Sequence, residues 1–336
     1  MGHRASPDRG AAALPSRPEE ATLKPLVLLV LLWLLPGCSQ PREPGGPWTV
    51  AEHPPGSGLR LATWNVHNFF DETDDPYADE VPSPSAVEAK MDALASVLRR
   101  LDADVLGLQE VEKRDLLQRL IDTRLKELGY GYFVLEEGND QARGIDVALV
   151  SRVPLKRVLS HKNLVLPRVA GTPQGYRFSR DCLEVHLGGE LPMVVMVNHF
   201  KASGGRGTER GSDAKRRAQA LGVAQLLSDQ EGARVAVLGD FNDAYDSWSL
   251  EPLRERLLDP LGHLSLEQGY TLRYRGRPMI LDHILINEAL APCVDRKSSG
   301  VYRSAEVRAA SDHFPVYLEL RPPAKGQGKG KPPVPR

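Results

Sequence analysis

The strongest constraint on the fold is the stretch Arg234 to Asp243, which reads Arg-Val-Ala-Val-Leu-Gly-Asp-Phe-Asn-Asp. Its apolar run does not alternate with polar residues, which is typical of a buried strand, and the Gly-Asp pair at its end allows a sharp turn. Such a strand delivers Asp240 and Asn242 to the edge of a sheet. Ligands bind at these edges in α/β proteins, because the strand fixes the backbone while the loop supplies polar atoms.

Other short apolar runs along the chain also contain or end in a polar residue. Together with the first stretch, these positions are Asn65, Glu110, His199, Asp240, Asn242, Asp282, Asp312 and His313. A single residue of this kind is more often a turn former, a helix cap or a structural histidine. Repetition at six strands is hard to explain by capping, and it predicts a shared site.

Helical patterns separate the strands. Ser85 and Glu88 form a predicted capping box in front of a helix that runs to Leu101, and Asp213 to Leu227 is a later helix. Strands that alternate with helices predict an α/β architecture. The runs Cys182 to Leu187 and Met193 to Val197 are separated by a Gly-Gly turn and predict an antiparallel hairpin, so the sheet is expected to be mixed.

Convergence of the polar residues would bring four carboxylates together, those of Glu110, Asp240, Asp282 and Asp312. Two like charges about 4 Å apart repel by about 4 kcal/mol at an effective dielectric of 20, a large share of a domain's stability of about 5–15 kcal/mol. Convergence therefore requires a cation. Carboxylate and amide ligands without thiolates suit Mg²⁺, Mn²⁺ or Ca²⁺, and two adjacent histidines suit proton transfer near neutral pH.

The motifs that carry these residues look like those of the endonuclease/exonuclease/phosphatase family. They are Thr63-Trp64-Asn65-Val66, Leu108-Gln109-Glu110, Asn198-His199-Phe200-Lys201, Gly239-Asp240-Phe241-Asn242, Leu281-Asp282-His283 and Ser311-Asp312-His313. They occur in the family's order and span residues 59–320. The resemblance implies a four-layered α-β-β-α sandwich, in which two mixed β-sheets pack face to face with helices outside and a divalent-metal site lies at one end.

The resemblance also implies roles on the metal and phosphate side of the site. Glu110 would be the principal ligand of Mg²⁺ or Mn²⁺, with Ca²⁺ as an additional candidate. Asn65 and Asp312 would complete or support that metal site. Asp240 would position and help to deprotonate the attacking water, and Asn242 would hold a phosphate oxygen.

Two histidines would handle protons. His313, oriented by Asp282, would donate to the phosphate or take part in proton transfer, and His199 would assist protonation of the leaving group. No motif identifies the acid that orients His199, and we predict Asp146 on a neighbouring strand. In-line attack on a phosphodiester needs charge neutralisation, an activated water and a proton for the leaving alkoxide, all of which this set supplies.

The substrate is less constrained. Basic residues follow His199, namely Lys201, Arg206, Arg210, Lys215, Arg216 and Arg217. Such a strip could bind a phosphate backbone, and a solvated loop is the alternative. Tyr245 and Trp248 could stack on bases, although core packing is the more common role. The formal net charge of −1 excludes binding of nucleic acid by bulk charge alone.

Three functions follow from these alternatives. The first is a nuclease acting on DNA or RNA, which the His199 motif and the basic residues after it favour. The second is a phosphodiesterase or phosphatase acting on lipid headgroups or small phosphorylated metabolites. The third is a non-catalytic binding module of the same fold, which is disfavoured because no motif acid or histidine is missing.

Residues 1–37 are predicted to be a signal peptide. The apolar run Leu26 to Leu35 would reach about 15 Å as a helix, roughly half of a ~30 Å hydrocarbon core. It is followed by Leu35-Pro36-Gly37-Cys38, which resembles the lipobox of bacterial lipoproteins and predicts Cys38 as the lipid acceptor. A bacterial cell-envelope lipoprotein facing the periplasm or the exterior is therefore expected. The alternatives are ordinary cleavage with secretion, or an uncleaved anchor.

The remaining segments complete the predicted domain organisation. Residues 38–58 form a flexible tether, residues 59–320 the catalytic domain, and residues 321–336 a disordered basic tail. Cys182 and Cys293 would lie in a compartment where disulfides persist, so a bridge and two buried thiols are both open. The protein is expected to be a monomer.

Overall fold

The computed structural model describes residue 53 and residues 58–74, 81–140, 142–172, 175–203 and 209–322. The predicted signal peptide, Cys38, most of the predicted tether, Arg206 and residues 323–336 lie outside this part of the chain. Among the described residues, no helix has both the length and the apolar character needed to cross a membrane.

Thirteen strands run through the described residues. They are β1 Leu59–Phe69, β2 Val105–Val111, β3 Tyr132–Leu135, β4 Asp146–Ser151, β5 Leu155–Ser160, β6 Cys182–Leu187, β7 Met193–His199, β8 Val235–Asp240, β9 Leu272–Tyr274, β10 Arg277–Met279, β11 Asp282–Ile286, β12 Val294–Val301 and β13 Val316–Leu320. The helices are α1 Pro84–Leu101, α2 Arg114–Arg124, α3 Glu209–Leu227, α4 Glu251–Arg254, α5 Leu266–Gly269 and α6 Ala305–Ala310.

The strands form two large sheets and one small one. The first large sheet has six strands in the order β12-β13-β1-β2-β4-β3, and the second has five in the order β11-β8-β7-β6-β5. Both are mixed, since β1 runs parallel to β2 and β7 runs parallel to β8 while the other pairings are antiparallel. Strands β9 and β10 form a separate hairpin.

The two large sheets pack face to face. Side chains that alternate along the strands, among them Leu61, Val105, Val195 and Leu238, form one buried apolar layer between them. Helices α1, α2 and α6 cover the outer face of the six-stranded sheet, and α3 and α4 cover that of the five-stranded sheet. The predicted four-layered α-β-β-α sandwich is confirmed.

Close packing between the sheets depends on Gly107 in β2. A Cβ atom placed there would lie 2.3 Å from Cδ1 of Leu238 and 3.2 Å from Cγ1 of Val197. Two strands of the opposite sheet therefore occupy the space that a side chain would need. The glycine lets the six-stranded sheet approach β7 and β8 at this point.

Several local predictions are confirmed or corrected. Strands β6 and β7 pair antiparallel as expected. Helix α1 is capped by Ser83 rather than Ser85, because Pro84 suits the first helical position. Glu88 forms ion pairs with two arginines of α2 instead of closing a capping box.

Two further points were wrong or open. Helix α3 begins at Glu209, four residues earlier than the apolar pattern indicated. Cys182 and Cys293 are both buried free thiols, so the bridge that the sequence left open does not form.

Candidate active site

The five-stranded sheet brings three predicted catalytic residues to one level. Asp240 at the end of β8 lies opposite His199 of the parallel strand β7 and opposite Asp282 of the antiparallel strand β11. Gly239, just before Asp240, has φ +135°, and a Cβ atom there would lie 1.9 Å from the carbonyl oxygen of Asn198. Only glycine fits, so the Gly-Asp pair is required by the contact between β8 and β7.

The six-stranded sheet contributes Asn65 from β1 and Glu110 from β2. Glu110 has φ 65°, and the pairing of β2 with β4 shifts register between Gln109 and Val111. In a regular strand Glu110 would face the helices, because Gln109 faces the other sheet. A bulge of this kind re-aims a side chain, and here it turns the carboxylate towards the site.

Tight turns aim backbone N–H groups at the carboxylates. His67, Asn68 and Asn242 also have positive φ values, of 55°, 51° and 53°. The backbone N–H of Asn68 donates to Oε2 of Glu110 at 3.0 Å, and that of Asn242 donates to Oδ1 of Asp240 at 2.8 Å. Strained backbone at non-glycine residues is typical of functional sites.

Asp240 is the centre of the site. Its Oδ2 accepts a hydrogen bond from Nδ2 of Asn65 at 3.0 Å. The same oxygen lies 3.6 Å from Nε2 of His199 and 3.9 Å from Nε2 of His313. Burial, together with the negative charge of Asp282, raises the pKa of Asp240 to about 7. A carboxylate with this pKa can exchange a proton near neutral pH.

His313 and Asp282 form a hydrogen-bonded dyad. Nδ1 of His313 lies 2.8 Å from Oδ2 of Asp282. Burial opposes a charge on the imidazole, but the carboxylates of Asp282 and Asp240 outweigh it and raise the pKa of His313 to about 10. Strand β1 holds this loop, since the indole of Trp64 donates to the carbonyl of His313 at 2.9 Å. His313 is therefore a cationic donor at neutral pH.

His199 has the opposite character. Burial and the nearby guanidinium of Arg180 hold the pKa of His199 well below its usual value. Its Nδ1 is buried without a hydrogen-bond partner. The prediction that Asp146 orients His199 is therefore wrong: Asp146 belongs to the six-stranded sheet, and its Oδ1 accepts from the N–H of Gly138 at 2.7 Å.

Two arginines that the sequence reasoning missed lie at the site. Nη1 and Nη2 of Arg143 lie 3.4 Å and 3.3 Å from the carboxylate oxygens of Glu110. Arg180 is buried, pairs with Asp140 at 2.7 Å and leaves its Nε without a partner. Isolated arginines in loops carry no periodic signal, and only their position before β4 and β6 hinted at a role.

The pKa of Glu110 is lowered to about 2 although burial alone would raise it. Positive charge at His199 and Arg143 would explain the lowering, but His199 is neutral at neutral pH. We therefore assign the lowering to Arg143 and to the N–H of Asn68. Glu110 is ionised throughout the physiological range and available to a cation.

Asp312 and the basic residues after His199 differ in their exposure and pairing. The side chain of Asp312 is 51% exposed, and its Oδ1 lies 3.7 Å from Nδ1 of His67. Arg216 is buried between Asp213 and Asp243, so it is neutralised. Lys201 follows β7 directly, and burial and Arg180 lower its pKa.

A cation could be held at two positions. Ligand atoms of Asp240, Asp282 and His313 lie within 4.8 Å of one another, but the hydrogen bond between His313 and Asp282 accounts for that cluster without an ion. Glu110, Asp240 and the amide of Asn65 offer oxygen ligands of the type that Mg²⁺ and Mn²⁺ prefer. In ligand type, this second set suits the predicted metal better.

Two mixed sheets packed face to face, with carboxylates, amides and two histidines at one end, define a phosphoesterase of the α-β-β-α type. The profile of the Endonuclease/Exonuclease/phosphatase family matches residues 62–313. The chain belongs to this family, and the resemblance inferred from its motifs is confirmed. Membership makes the protein a hydrolase of phosphoric esters.

Solved structures with the same fold have low sequence identity. Caenorhabditis elegans TDP2 in truncated form is 16% identical, covering 78% of this chain and 97% of its own, with a TM-score of 0.53. The 3′ phosphatase NExo from Neisseria is 20% identical. The match covers 78% of this chain and 99% of NExo, with a TM-score of 0.52. Beta toxin from Staphylococcus aureus is 15% identical. The match covers 78% of this chain and 100% of the toxin chain, also with a TM-score of 0.52. No curated protein sequence matches significantly.

Proposed function

We propose that the protein is a divalent-metal-dependent nuclease that hydrolyses phosphodiester bonds of DNA or RNA. The observation that carries this proposal is the row formed by His199, Asp240 and His313. A carboxylate with a pKa of about 7 lies between a neutral and a cationic imidazole, at 3.6 Å and 3.9 Å. In-line phosphoryl transfer needs a base, an acid and a charged donor in one buried place.

The proposed metal is Mg²⁺ or Mn²⁺, with Ca²⁺ as a further candidate. Glu110 and Asn65 would hold it, with Asp240 adjacent. Bound there, the ion would neutralise charge on the phosphoryl oxygens. Asp312, a third ligand predicted from the sequence, lies beside His67, and we leave it out of the proposed set.

The protein's own residues are assigned separate roles in proton transfer and phosphate binding. Asp240, held by Asn65 and by the N–H of Asn242, accepts a proton from the attacking water. His313, oriented by Asp282, donates a hydrogen bond to a phosphoryl oxygen, while Asn242 positions the phosphate.

Protonation of the leaving oxygen is assigned to His199. The negative charge of a bound phosphodiester raises the proton affinity of its buried imidazole. The protonated ring then donates its proton to the leaving oxygen.

Support for a nucleic-acid substrate comes from one relative. The Neisseria 3′ phosphatase was solved with a product DNA hairpin. A lipid headgroup or small phosphorylated metabolite is the second candidate, favoured by the predicted lipid anchor at Cys38. A non-catalytic binding module would leave every substrate intact.

The test is a substrate panel for the purified protein, with plasmid DNA, single-stranded RNA and headgroup phospholipids. Each substrate is incubated with Mg²⁺, Mn²⁺, Ca²⁺ or EDTA. We expect nucleic acid to be cleaved with Mg²⁺ or Mn²⁺ and to survive in EDTA. Asp240→Ala should lower the rate by about 10²–10⁴-fold, whereas Asp229→Ala, at the opposite end of β8, should not. Intact DNA and RNA with every metal would refute the nuclease, and release of headgroup phosphate alone would support the second candidate.

We further propose that the protein is a monomeric lipoprotein of the bacterial cell envelope, anchored through Cys38. Cys38→Ser should shift it from the membrane fraction to the soluble fraction. An unchanged distribution would contradict lipidation, and a soluble wild type would favour secretion.

A further inference from the structure

A cavity of about 620 Å³ opens beside Asn242. Its walls come from residues 242–244 and 246–249 after β8, residues 278–281 before β11, Leu266 of α5, and residues 203, 213 and 216 at and near the start of α3. Asn242 belongs both to these walls and to the proposed phosphate site. The cavity therefore continues directly from the place where the scissile phosphate would lie.

One wall is apolar and exposed. Trp248, Leu266 and Met279 line it with exposed fractions of 53%, 50% and 37%. Large apolar side chains grouped at a concave surface are typical of ligand sites. The sequence favoured core packing for Tyr245 and Trp248, and only Tyr245 follows that expectation, with its hydroxyl bonded to the carbonyl of Leu257 at 2.7 Å.

The indole of Trp248 is held in place from behind. The guanidinium carbon of Arg217 lies 4.6 Å from its ring centroid, and Arg217 also donates to the carbonyl of Trp248. Arg217 in turn pairs with Glu251 at 2.8 Å. The exposed part of the ring lies at the cavity and is pre-oriented, so stacking on it costs little side-chain entropy.

Acidic side chains also line the cavity. Asp213, Asp243 and Asp246 line it, and Arg216 is the one basic side chain among the described lining residues. Arg216 is fully engaged, because its Nε lies 2.9 Å from Oδ2 of Asp243 and its Nη2 pairs with Asp213. The acidic lining therefore carries net negative charge, which disfavours a second phosphate and suits a cation or a group with N–H donors.

We propose that this cavity binds the nucleobase next to the scissile phosphate, stacked on Trp248 with its N–H groups facing Asp246. This inference rests on the proposed nuclease function. A base has flat apolar faces for Trp248 and Met279 and amino donors for a carboxylate. A quaternary ammonium headgroup would be attracted by the charge of the carboxylates, but it has no N–H to donate to the carboxylate and serine acceptors. Adenine, cytosine and guanine, which carry amino groups, should be preferred to thymine and uracil.

The test uses a dinucleotide with a single phosphodiester bond, and an analogue in which one base is replaced by hydrogen. Wild-type protein should bind and cleave the dinucleotide with an apparent affinity about tenfold higher than that for the analogue. Trp248→Ala should abolish this difference and Trp248→Phe should retain most of it. Tyr274→Ala is the matched control, because Tyr274 is an exposed aromatic outside the cavity that also stacks with an arginine. Asp246→Asn should reduce the preference for amino-bearing bases.

A binding measurement separates this inference from the nuclease proposal. In an Asp240→Asn background, the dinucleotide should quench tryptophan fluorescence, the base-lacking analogue should not, and Trp248→Ala should remove the quench. Quenching without any hydrolysis by the wild type would support the base site while refuting the nuclease. If the rate of hydrolysis were the same with and without the base, and unchanged by Trp248→Ala, the base site would be refuted while the nuclease proposal would stand. If phosphocholine competed with the dinucleotide in a way that required Trp248, and the base had no effect on binding, the base site would be refuted in favour of a headgroup site.

Discussion

Single neighbours decide the charge of the catalytic side chains. His199 and His313 are both buried, yet the pKa of His199 falls while that of His313 rises to about 10. Asp282 is bonded to His313, whereas Nδ1 of His199 has no partner. Two identical residue types thus differ in charge beside Asp240: the imidazole of His313 is cationic and that of His199 is neutral at neutral pH.

Asp146 provides a prediction at this scale, because burial raises its pKa to about 7. An unfolded chain would titrate it near 3.8, so the folded state binds the proton more tightly and the free energy of unfolding falls as pH rises from about 4 to 7. Asp146→Asn removes the charge and keeps an acceptor for Gly138. We expect it to stabilise the protein at pH 8 by at most about 4 kcal/mol and to have little effect near pH 4.

Urea denaturation at both pH values measures this effect. Asp229→Asn, on an exposed turn, serves as the control and should change the free energy of unfolding little at either pH. An Asp146→Asn variant that is equally stabilising at both pH values, or destabilising at pH 8, would contradict the assigned ionisation.

At the scale of elements, the site depends on irregularities in regular strands. The bulge at Glu110 and the positive φ values at His67, Asn68 and Asn242 turn side chains and N–H groups towards Asp240. Regular strand geometry, with its period of two residues, would send Glu110 to the helix layer. Strand patterns in the sequence show where each element runs, but not where its register slips.

Sheet packing gives a second prediction, at Gly107. Gly107→Ala would force a methyl group against Leu238 and should lower the free energy of unfolding by about 1–3 kcal/mol. Leu238→Ala alone leaves a cavity and should cost about 2–5 kcal/mol. The double variant should be less destabilised than the sum of the two, since each change makes room for the other.

Chemical denaturation of the four proteins gives the coupling energy. Gly131→Ala is the control, because nothing lies within 4 Å of a Cβ atom placed there. If the free-energy changes of Gly107→Ala and Leu238→Ala added strictly in the double variant, the two sheets would not meet at this residue.

The whole molecule brings Asn65 and Glu110 of one sheet to Asp240 and Asp282 of the other. The carboxylates of this group repel one another without a cation. We expect Mg²⁺ or Mn²⁺ at 100 times its dissociation constant to stabilise the fold by about 2.7 kcal/mol, seen as a rise in Tm of several degrees. Glu110→Gln should abolish most of that rise, and Asp229→Asn should retain it. Equal Tm values with metal and with EDTA would contradict a bound cation.

The sequence by itself determined the family and most of the converging side chains, because the motifs that carry them are local patterns. The layered architecture followed from the family resemblance. Apolar runs with a polar end, as at Asp240 and His199, reveal both a buried strand and its functional terminus. Only the tertiary structure decided that the side chain of Asp312 is half-exposed, that Asp146 accepts a hydrogen bond from Gly138, and that Trp248 is exposed beside the site. Burial, pairing and protonation depend on neighbours distant in sequence, so the local periodicity of the sequence does not predict them.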